Sequence, residues 1–279
     1  MTAFDPPQPA VEEVVARALA EDLGVLGDIT SAAVIDRDAR GTGHFVARAA
    51  GVLAGRAAVT EVFRQVDATV AVHWQASDGA ELVPGQAIAT VEGPLRSLLA
   101  AERTALNLLQ HCSGVATLTR HYVRATHGRA RILDTRKTLP GLRALEKAAV
   151  RAGGGHNHRD SLSDQVLIKD NHVVQGAVGD AVRRALTRWP GRPVICECDT
   201  LAQVTEAAAA GATRILLDNM TPAQVAEAVG AVRGAVPLEV SGGVTLDTVG
   251  AYAAAGTDFI SVGAITHSAP ALDIGLDLD

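Results

Sequence analysis

Six short apolar runs in the second half of the chain each end in a polar residue or a glycine, and no other feature restricts the fold so tightly. The runs are Arg131–Leu133, Gln165–Ile168, Pro193–Cys196, Arg214–Leu217, Pro237–Val240 and Phe259–Val262. They end at Asp134, Lys169, Glu197, Asp218, Ser241 and Gly263, and from Lys169 onward the steps are 28, 21, 23 and 22 residues. Stretches of helical spacing separate them, at Leu142–Ala152, Ala177–Trp189, Leu201–Ala210, Pro222–Val232 and Leu246–Ala255. Such alternation means βα units and a parallel sheet. An open doubly wound sheet offers ligand groups at one switch point, whereas a barrel gathers the C-terminal ends of all its strands at one mouth. Six successive polar ends therefore predict a small or incomplete (β/α) barrel.

The first hundred residues read differently. A helix is expected from about Val11 to Leu23, followed by β-rich runs at Gly43–Leu53, Thr69–Trp74 and Gln86–Glu92, punctuated by Asp78-Gly79 and Pro84-Gly85. From Leu95 to about His127 the spacing is helical again, with an interruption expected near Gly114. Arg103, Asn107, Gln110 and Gly114 form one polar stripe on it, facing either solvent or a cavity.

Charge narrows the function. The net charge of −6 is a poor match for nucleic acid or anionic membrane. No apolar run reaches the roughly 20 residues of a membrane span, and Met1 to Pro9 is too polar for a signal peptide. Cys112, Cys196 and Cys198 form an odd, sparse set that suits a reducing cytoplasm. Only eight aromatic residues are present, too few for base-stacking platforms. Yet residues 101–172 hold 12 Lys/Arg against 6 Asp/Glu, a local positive region suited to a small anion. Arg120, Arg124 and Arg129 read as solvated helix faces. Arg136, Lys137, His158, Arg159 and Lys169 instead share the expected rim, and mixed Arg forks and Lys point charges suit a polyanion.

Other rim residues add chemistry. Glu197 and Asp218 sit on adjacent strands, where they hold Mg²⁺ jointly with substrate phosphates, or neutralise the neighbouring cations, or both. Cys196 and Cys198 flank Glu197 at strand period, so if Glu197 faces the mouth both thiols face the helices; with no further ligands at zinc spacing, zinc is rejected. Ser241-Gly242-Gly243 and Val262-Gly263-Ala264 close the last two runs, where barrels commonly bind phosphate through backbone N–H groups.

The segments DTRKTLPGLRALEKAAVRAGGGHNHRDSL, LIKDNH, LLDN, EVSGG and SVGAITHSAPALDI, with GDITS at Gly27–Ser31 and the FVARAAGVLAG stretch, resemble the quinolinate phosphoribosyltransferase family over most of the chain. Two positions depart from its pattern, Ser161 where glycine is expected and Gly275 in the final DIGLDL. The resemblance implies an α/β protein: an incomplete (β/α) barrel of the type II phosphoribosyltransferase kind over 113–267, and an N-terminal α/β open-faced sandwich over 1–112 to which 268–279 returns. It further implies a cytoplasmic homodimer whose sites are completed across the interface.

The implied reaction joins quinolinate to 5-phosphoribosyl-1-pyrophosphate with Mg²⁺, giving nicotinate mononucleotide, pyrophosphate and CO2 in NAD synthesis. By resemblance Arg103, Arg136, His158, Arg159 and Lys169 surround quinolinate, Thr135 is a further substrate-binding residue, and Lys137 reaches the donor's phosphates. Glu197 and Asp218 lie on the ribose and Mg²⁺ side; Lys137, Lys169, Glu197 and Asp218 are the expected catalytic set. Ser241, Gly242, Gly243, Val262, Gly263, Ala264 and His267 hold the 5-phosphate region, and Arg48 reaches a partner's site. Two alternatives stand beside this reading: the molybdenum-transport branch of the same superfamily, and a non-catalytic anion-binding barrel.

Overall fold

The computed structural model describes residues 4–173 and 177–279. The chain divides into two compact units. The first comprises 1–120, 138–154 and 264–279, and the second 121–137 and 155–263.

In the first unit a four-stranded antiparallel sheet has the order β12-β1-β5-β3, from β1 (Arg40–Ala47), β3 (Ala71–Trp74), β5 (Ala87–Pro94) and β12 (Ile274–Leu278). A small pair, β2 (Gly51–Val52) and β4 (Glu81–Leu82), stands apart from it. Toward its end β1 alternates buried and half-buried residues, the period-two signature of a sheet covered on one face. That face packs on α3 (Arg56–Val66) and α4 (Leu95–Ala125) through a core that includes Phe45, Phe63, Val62 and Leu98, and α1 (Gln8–Leu23) packs in turn on α3. Phe45 meets Phe63 edge-on at 6.2 Å. A short helix, α2 (Ile29–Val34), is capped by the Asp28 carboxylate, which accepts the Thr30 and Ser31 N–H groups. Strand β12 pairs antiparallel with β1, Phe45 opposite Leu276, so the C-terminal segment does join the N-terminal sheet.

The second unit is a six-stranded parallel sheet in the order β6-β11-β10-β9-β8-β7. Its strands are β6 (Arg131–Leu133), β7 (Val166–Ile168), β8 (Val194–Cys198), β9 (Arg214–Asp218), β10 (Leu238–Ser241) and β11 (Phe259–Ser261). Helices α6 (Val178–Arg188), α7 (Leu201–Ala209), α8 (Pro222–Val232) and α9 (Leu246–Ala254) connect them. Among the described residues β6 and β7 do not pair, and β6 gains only a single bridge, Leu133 to His156. The barrel is therefore incomplete, as the sequence predicts. Its strands are near-continuous apolar runs because both faces are covered.

Three expectations change. The interruption expected near Gly114 is absent, since α4 runs unbroken past it. That glycine marks a close approach, not a break: a Cβ there would sit 2.1 Å from the Pro270 carbonyl oxygen. Gln110 also donates to the Ile274 carbonyl at 2.6 Å, so half of the polar stripe lies under the C-terminal segment, while Arg103 and Asn107 are exposed. Helix α5 (Arg143–Ala152), expected in the barrel, belongs to the first unit. There its fully buried Glu146 accepts the His111 Nε2 contact at 2.8 Å and the Leu139 N–H. Arg120, expected in solvent, donates to the Gly153 carbonyl at 2.9 Å and pairs with Glu81. The remaining short helix, α10 (Ala264–His267), packs against α5.

Candidate active site

In the second unit the ends of the parallel strands bring most of the expected residues to one mouth. The β6 end is built around Asp134, which is fully buried. Its carboxylate accepts the His158 N–H at 2.8 Å and the Asn157 amide at 2.5 Å. The His156 N–H donates to the Ile132 carbonyl at 2.8 Å, so Gly155–Arg159 runs beside β6 like a partial strand. This ties the histidine-rich segment to the mouth. Thr135, Arg136 and Lys137 follow Asp134 directly, and the Thr135 hydroxyl accepts the Lys137 N–H at 2.9 Å, closing a tight turn.

Arg159 is buried, and its guanidinium donates to the Gln165 carbonyl at 3.1 Å. Burial and the neighbouring Arg136 charge hold it below the ordinary arginine value, with Asp164 opposing them. His158 is buried too. The Arg159 N–H donates to its Nδ1 at 2.7 Å, and its Nε2 lies 3.3 Å from a Glu239 carboxylate oxygen.

Lys169 follows β7 and reaches across to Glu197 on β8, Nζ to Oε2, at 2.6 Å. Glu197 lies inside β8 and registers with Leu216, two residues short of Asp218. With a side-chain period of two, Glu197 and Asp218 therefore face the same way, offset by roughly 6.6 Å along the strands. Burial pushes the Asp218 carboxyl up from its ordinary value; Lys169 pulls it back, Asp199 and Asp170 push again, and Lys137 pulls. The Cys196 and Cys198 thiols are buried; Cys196 donates to the Glu197 carbonyl at 3.7 Å and Cys198 to the Cys196 carbonyl at 3.8 Å.

The Ser241-Gly242-Gly243 turn follows β10, with φ of 95° at Gly242 and 60° at Gly243. It interlocks with Asn219, itself left-handed at φ 53°. A Cβ at Gly242 would lie 2.2 Å from the Asn219 Oδ1, and the Asn219 N–H donates to the Ser241 carbonyl at 3.0 Å. The Asn219 amide also donates to Asp218 at 2.6 Å. Val262 donates its N–H to Leu133, which leaves Gly263 at the mouth.

Four expected site residues lie in the first unit: Arg48, Arg103, Ala264 and His267. Arg48 is tied to Asp277 of β12. The unexpected Gly275 makes room for it, since a Cβ there would sit 2.9 Å from the Arg48 Nε. His267 is exposed and contacts Ser268 at 2.5 Å. Ser161 is exposed and accepts the Ser163 N–H at 3.2 Å, closing a turn. Cys112 is buried, and burial together with the Asp78 and Glu146 charges pushes its thiol well up, which disqualifies it as a nucleophile.

Sequence reasoning missed Glu239, Arg214 and Asn219. Glu239 is fully buried within β10, where Arg214 of β9 donates to it at 3.0 Å and the Ser261 hydroxyl also donates. Burial alone would push its carboxyl up, but His158, Ser261 and Arg214 together hold it below the ordinary value.

The family model of the quinolinate phosphoribosyl transferase C-terminal domain matches residues 115–277, and that of the N-terminal domain matches 28–113. A nicotinate-nucleotide pyrophosphorylase (carboxylating) from Mycobacterium leprae is 46% identical over 276 residues, covering 96% of this chain and 97% of the relative. A probable enzyme of the same name from Bacillus subtilis is 41% identical, covering 92% and 90% of the two chains. The solved nicotinate-nucleotide pyrophosphorylase from Francisella tularensis is similar over 100% of this chain and 99% of its own, with a TM-score of 0.94 and 38% identity.

Proposed function

The chain belongs to the quinolinate phosphoribosyltransferase family, and from that premise we propose how its second unit carries the family's reaction. The reaction transfers phosphoribosyl from 5-phosphoribosyl-1-pyrophosphate to quinolinate with decarboxylation, in NAD synthesis. Neither the molybdenum-transport branch nor a non-catalytic anion-binding barrel is favoured, because both family models are those of the quinolinate enzyme's domains.

One observation supports the assignment of roles most directly: Arg159 is buried against the like charge of Arg136. Two neighbouring guanidinium charges suit a ligand with two anionic groups side by side, and quinolinate brings two adjacent carboxylates. Arg136 and Arg159 bind these as forks, and Lys169 adds a point charge while Glu197 steadies its amino group. Lys137, exposed at the same mouth, meets the pyrophosphate. As pyrophosphate leaves, positive charge grows on the ribose, and Glu197 and Asp218 stabilise it electrostatically. Holding the pyridine nitrogen in line supplies the proximity contribution. After the nitrogen is quaternised, the 2-carboxylate leaves as CO2, its bonding pair staying at C2 as a carbanion beside N⁺ that then takes a proton from solvent, so the protein's part is to orient the ring.

The interlocked Gly242-Gly243 turn, with Ser241, Val262 and Gly263, suits the 5-phosphate, since glycines let backbone N–H groups approach it. Thr135 shapes the turn that carries Arg136 and Lys137. Arg48, Arg103, Ala264 and His267 are assigned to the same substrates on the resemblance alone.

Among the described residues no group of three or more His, Cys, Asp or Glu is arranged to hold a metal ion. Two mouth carboxylates, one already engaged by Lys169, fit an ion shared with substrate phosphates rather than one caged by protein. Glu197 and Asp218 would hold Mg²⁺ there, where it neutralises pyrophosphate charge. A homodimer accords with the exposed apolar side chains Val25, Leu26, Ile29 and Val34 in the first unit. A reducing, cytoplasmic setting accords with three free, buried cysteines.

The test is pyrophosphate release from the phosphoribosyl donor with quinolinate, accompanied by CO2, against pyrophosphate release with nicotinate as control. Turnover with quinolinate and none with nicotinate is expected. Equal use of both would remove the dicarboxylate assignment.

A further inference from the structure

His158 is committed at both ring nitrogens. Nδ1 accepts the Arg159 backbone N–H at 2.7 Å, so the ring proton sits on Nε2, which points at the Glu239 carboxylate 3.3 Å away. Each imidazole nitrogen serves one partner, and here both partners are protein. Glu239 is in turn fixed from two further sides. Arg214 donates to its other oxygen at 3.0 Å while stacking over Phe259 at 4.3 Å, and the Ser261 hydroxyl donates to the oxygen that faces His158. Glu239 has no exposed surface.

We propose that Glu239 is a positioning residue of the active site: through Nε2–H of His158 it fixes the imidazole, whose Nδ1 anchors the backbone of Arg159 and so sets the guanidinium that meets a quinolinate carboxylate. His158 then acts through Arg159 and does not itself bind substrate. The proposal rests on the reading that Arg159 binds quinolinate. The arrangement is the familiar logic of a carboxylate orienting a histidine and choosing its tautomer, applied to substrate binding. The chain of contacts crosses β9, β10, β11 and the segment beside β6, so it also locks that segment to the strands that carry the rest of the mouth.

The variant Glu239→Gln tests it. Glu239 accepts from three donors, and Arg214 and Nε2–H of His158 sit on different oxygens. An amide has one oxygen, so in the variant either Arg214 or His158 faces an NH2 group. If His158 does, it shifts its proton to Nδ1, and the Arg159 N–H loses its acceptor. The KM for quinolinate should rise about tenfold or more, with the KM for the phosphoribosyl donor within about twofold of wild type. Ser261→Ala removes a donor to the same oxygen without touching His158 and should leave both KM values within about twofold. On a His158→Ala background, Glu239→Gln should add nothing to the quinolinate KM.

A measurement independent of turnover uses the wild-type enzyme with 15N-labelled histidine, the His158 signals being assigned by their loss in His158→Ala. Nδ1, which accepts the Arg159 N–H, should report as unprotonated, and Nε2, which faces Glu239, as protonated. A doubly protonated ring or an Nδ1–H tautomer overturns the proposal, and it does so even if Glu239→Gln fails to fold. So does an equal rise in both KM values, or an effect of Glu239→Gln that multiplies with that of His158→Ala. If wild type shows no turnover with quinolinate while the nitrogen signals are as expected, the substrate reading fails and the strut stands.

Discussion

Asp78, half-buried in the first unit, and Glu239, fully buried in the second, are carboxylates that their surroundings move in opposite directions. Burial pushes Asp78 up to about 6, with only the Arg56 backbone N–H at 3.4 Å, the Arg56 charge and the Gly55 N–H opposing it. Glu239 is the more deeply buried, but His158, Ser261 and Arg214 hold it below its ordinary value. Depth alone therefore does not decide whether a buried carboxylate keeps its charge; the number and charge of the donors around it do. The two units use charge accordingly. In the first, charged groups tie helix to helix, as His111 does with Glu146 and Arg120 with the end of α5. In the second, a charged interior supports a mouth rich in cations.

The strongest way to break this contrast is to remove one mouth cation. Arg136→Ala or Lys169→Ala should lower kcat/KM for quinolinate by about two orders of magnitude or more, because each removes a charge-assisted contact to a desolvated substrate, with melting temperature nearly unchanged. Near-normal turnover in either would dissolve the distinction between the units. Arg136→Lys should still lose about tenfold, since the charge stays but the fork is gone.

Next in size is a test of whether the first unit also serves chemistry. Arg48→Ala and Lys169→Ala are each expected to be nearly inactive. If Arg48 serves a second copy of the chain, random exchange makes half the dimers mixed, each with one intact site of two, so activity should return to about a quarter of wild type. Mass spectrometry would verify exchange. No recovery in verified mixed dimers would confine Arg48 to its own chain, where it already pairs with Asp277.

The mouth was legible in the sequence and its foundation was not, for a physical reason. Strands covered on both faces read as apolar runs, and the polar residue ending each one stands out against them. That is why Lys169, Glu197, Asp218 and Ser241 stand out in the sequence as strand ends. Glu239 lies within such a run, and its partners Arg214, Ser261 and His158 are 25, 22 and 81 residues away, so no local spacing announces the network. The one available signal was a charged residue amid Pro237–Val240, a position that is costly unless paired. Helix α5 kept its helical spacing in sequence, but spacing names a buried face and not what it is buried against. Gly114 was read as a break because a glycine lowers helix propensity; its purpose, clearance for Pro270, depends on a segment more than 150 residues on.

A smaller effect is expected from Arg120→Ala. Its guanidinium serves the Gly153 carbonyl at 2.9 Å, the Ala152 carbonyl at 3.3 Å and Glu81 at 3.1 Å. Loss of these contacts should cost about 1–3 kcal/mol and lower the melting temperature by several degrees, while kcat/KM stays within about threefold. A large loss of activity with unchanged melting would put catalytic charge in the first unit.

The finest discrimination comes from acid titration of stability, where the two carboxylates act in different windows. Asp78 has a folded-state pKa of about 6 against an ordinary value of 3.8, so its protonated form is favoured on folding. The stability it contributes is fully present below the unfolded value and is lost as pH rises through about 6. Glu239 is shifted the other way, so its contribution is present above its unfolded value and is lost only as pH falls through the still lower folded one. Between pH 7 and pH 5 Glu239 is therefore nearly silent, and Asp78 supplies the change. Unfolding of wild type and Asp78→Asn should be compared by denaturant titration across that interval. Wild type should gain stability relative to the variant on acidification, by about 1–2 kcal/mol after allowance for the partial access of water. Parallel stability curves for the two proteins would mean that Asp78 is ionised and well solvated in the fold, and the opposition between the two carboxylates would fail at its first-unit end.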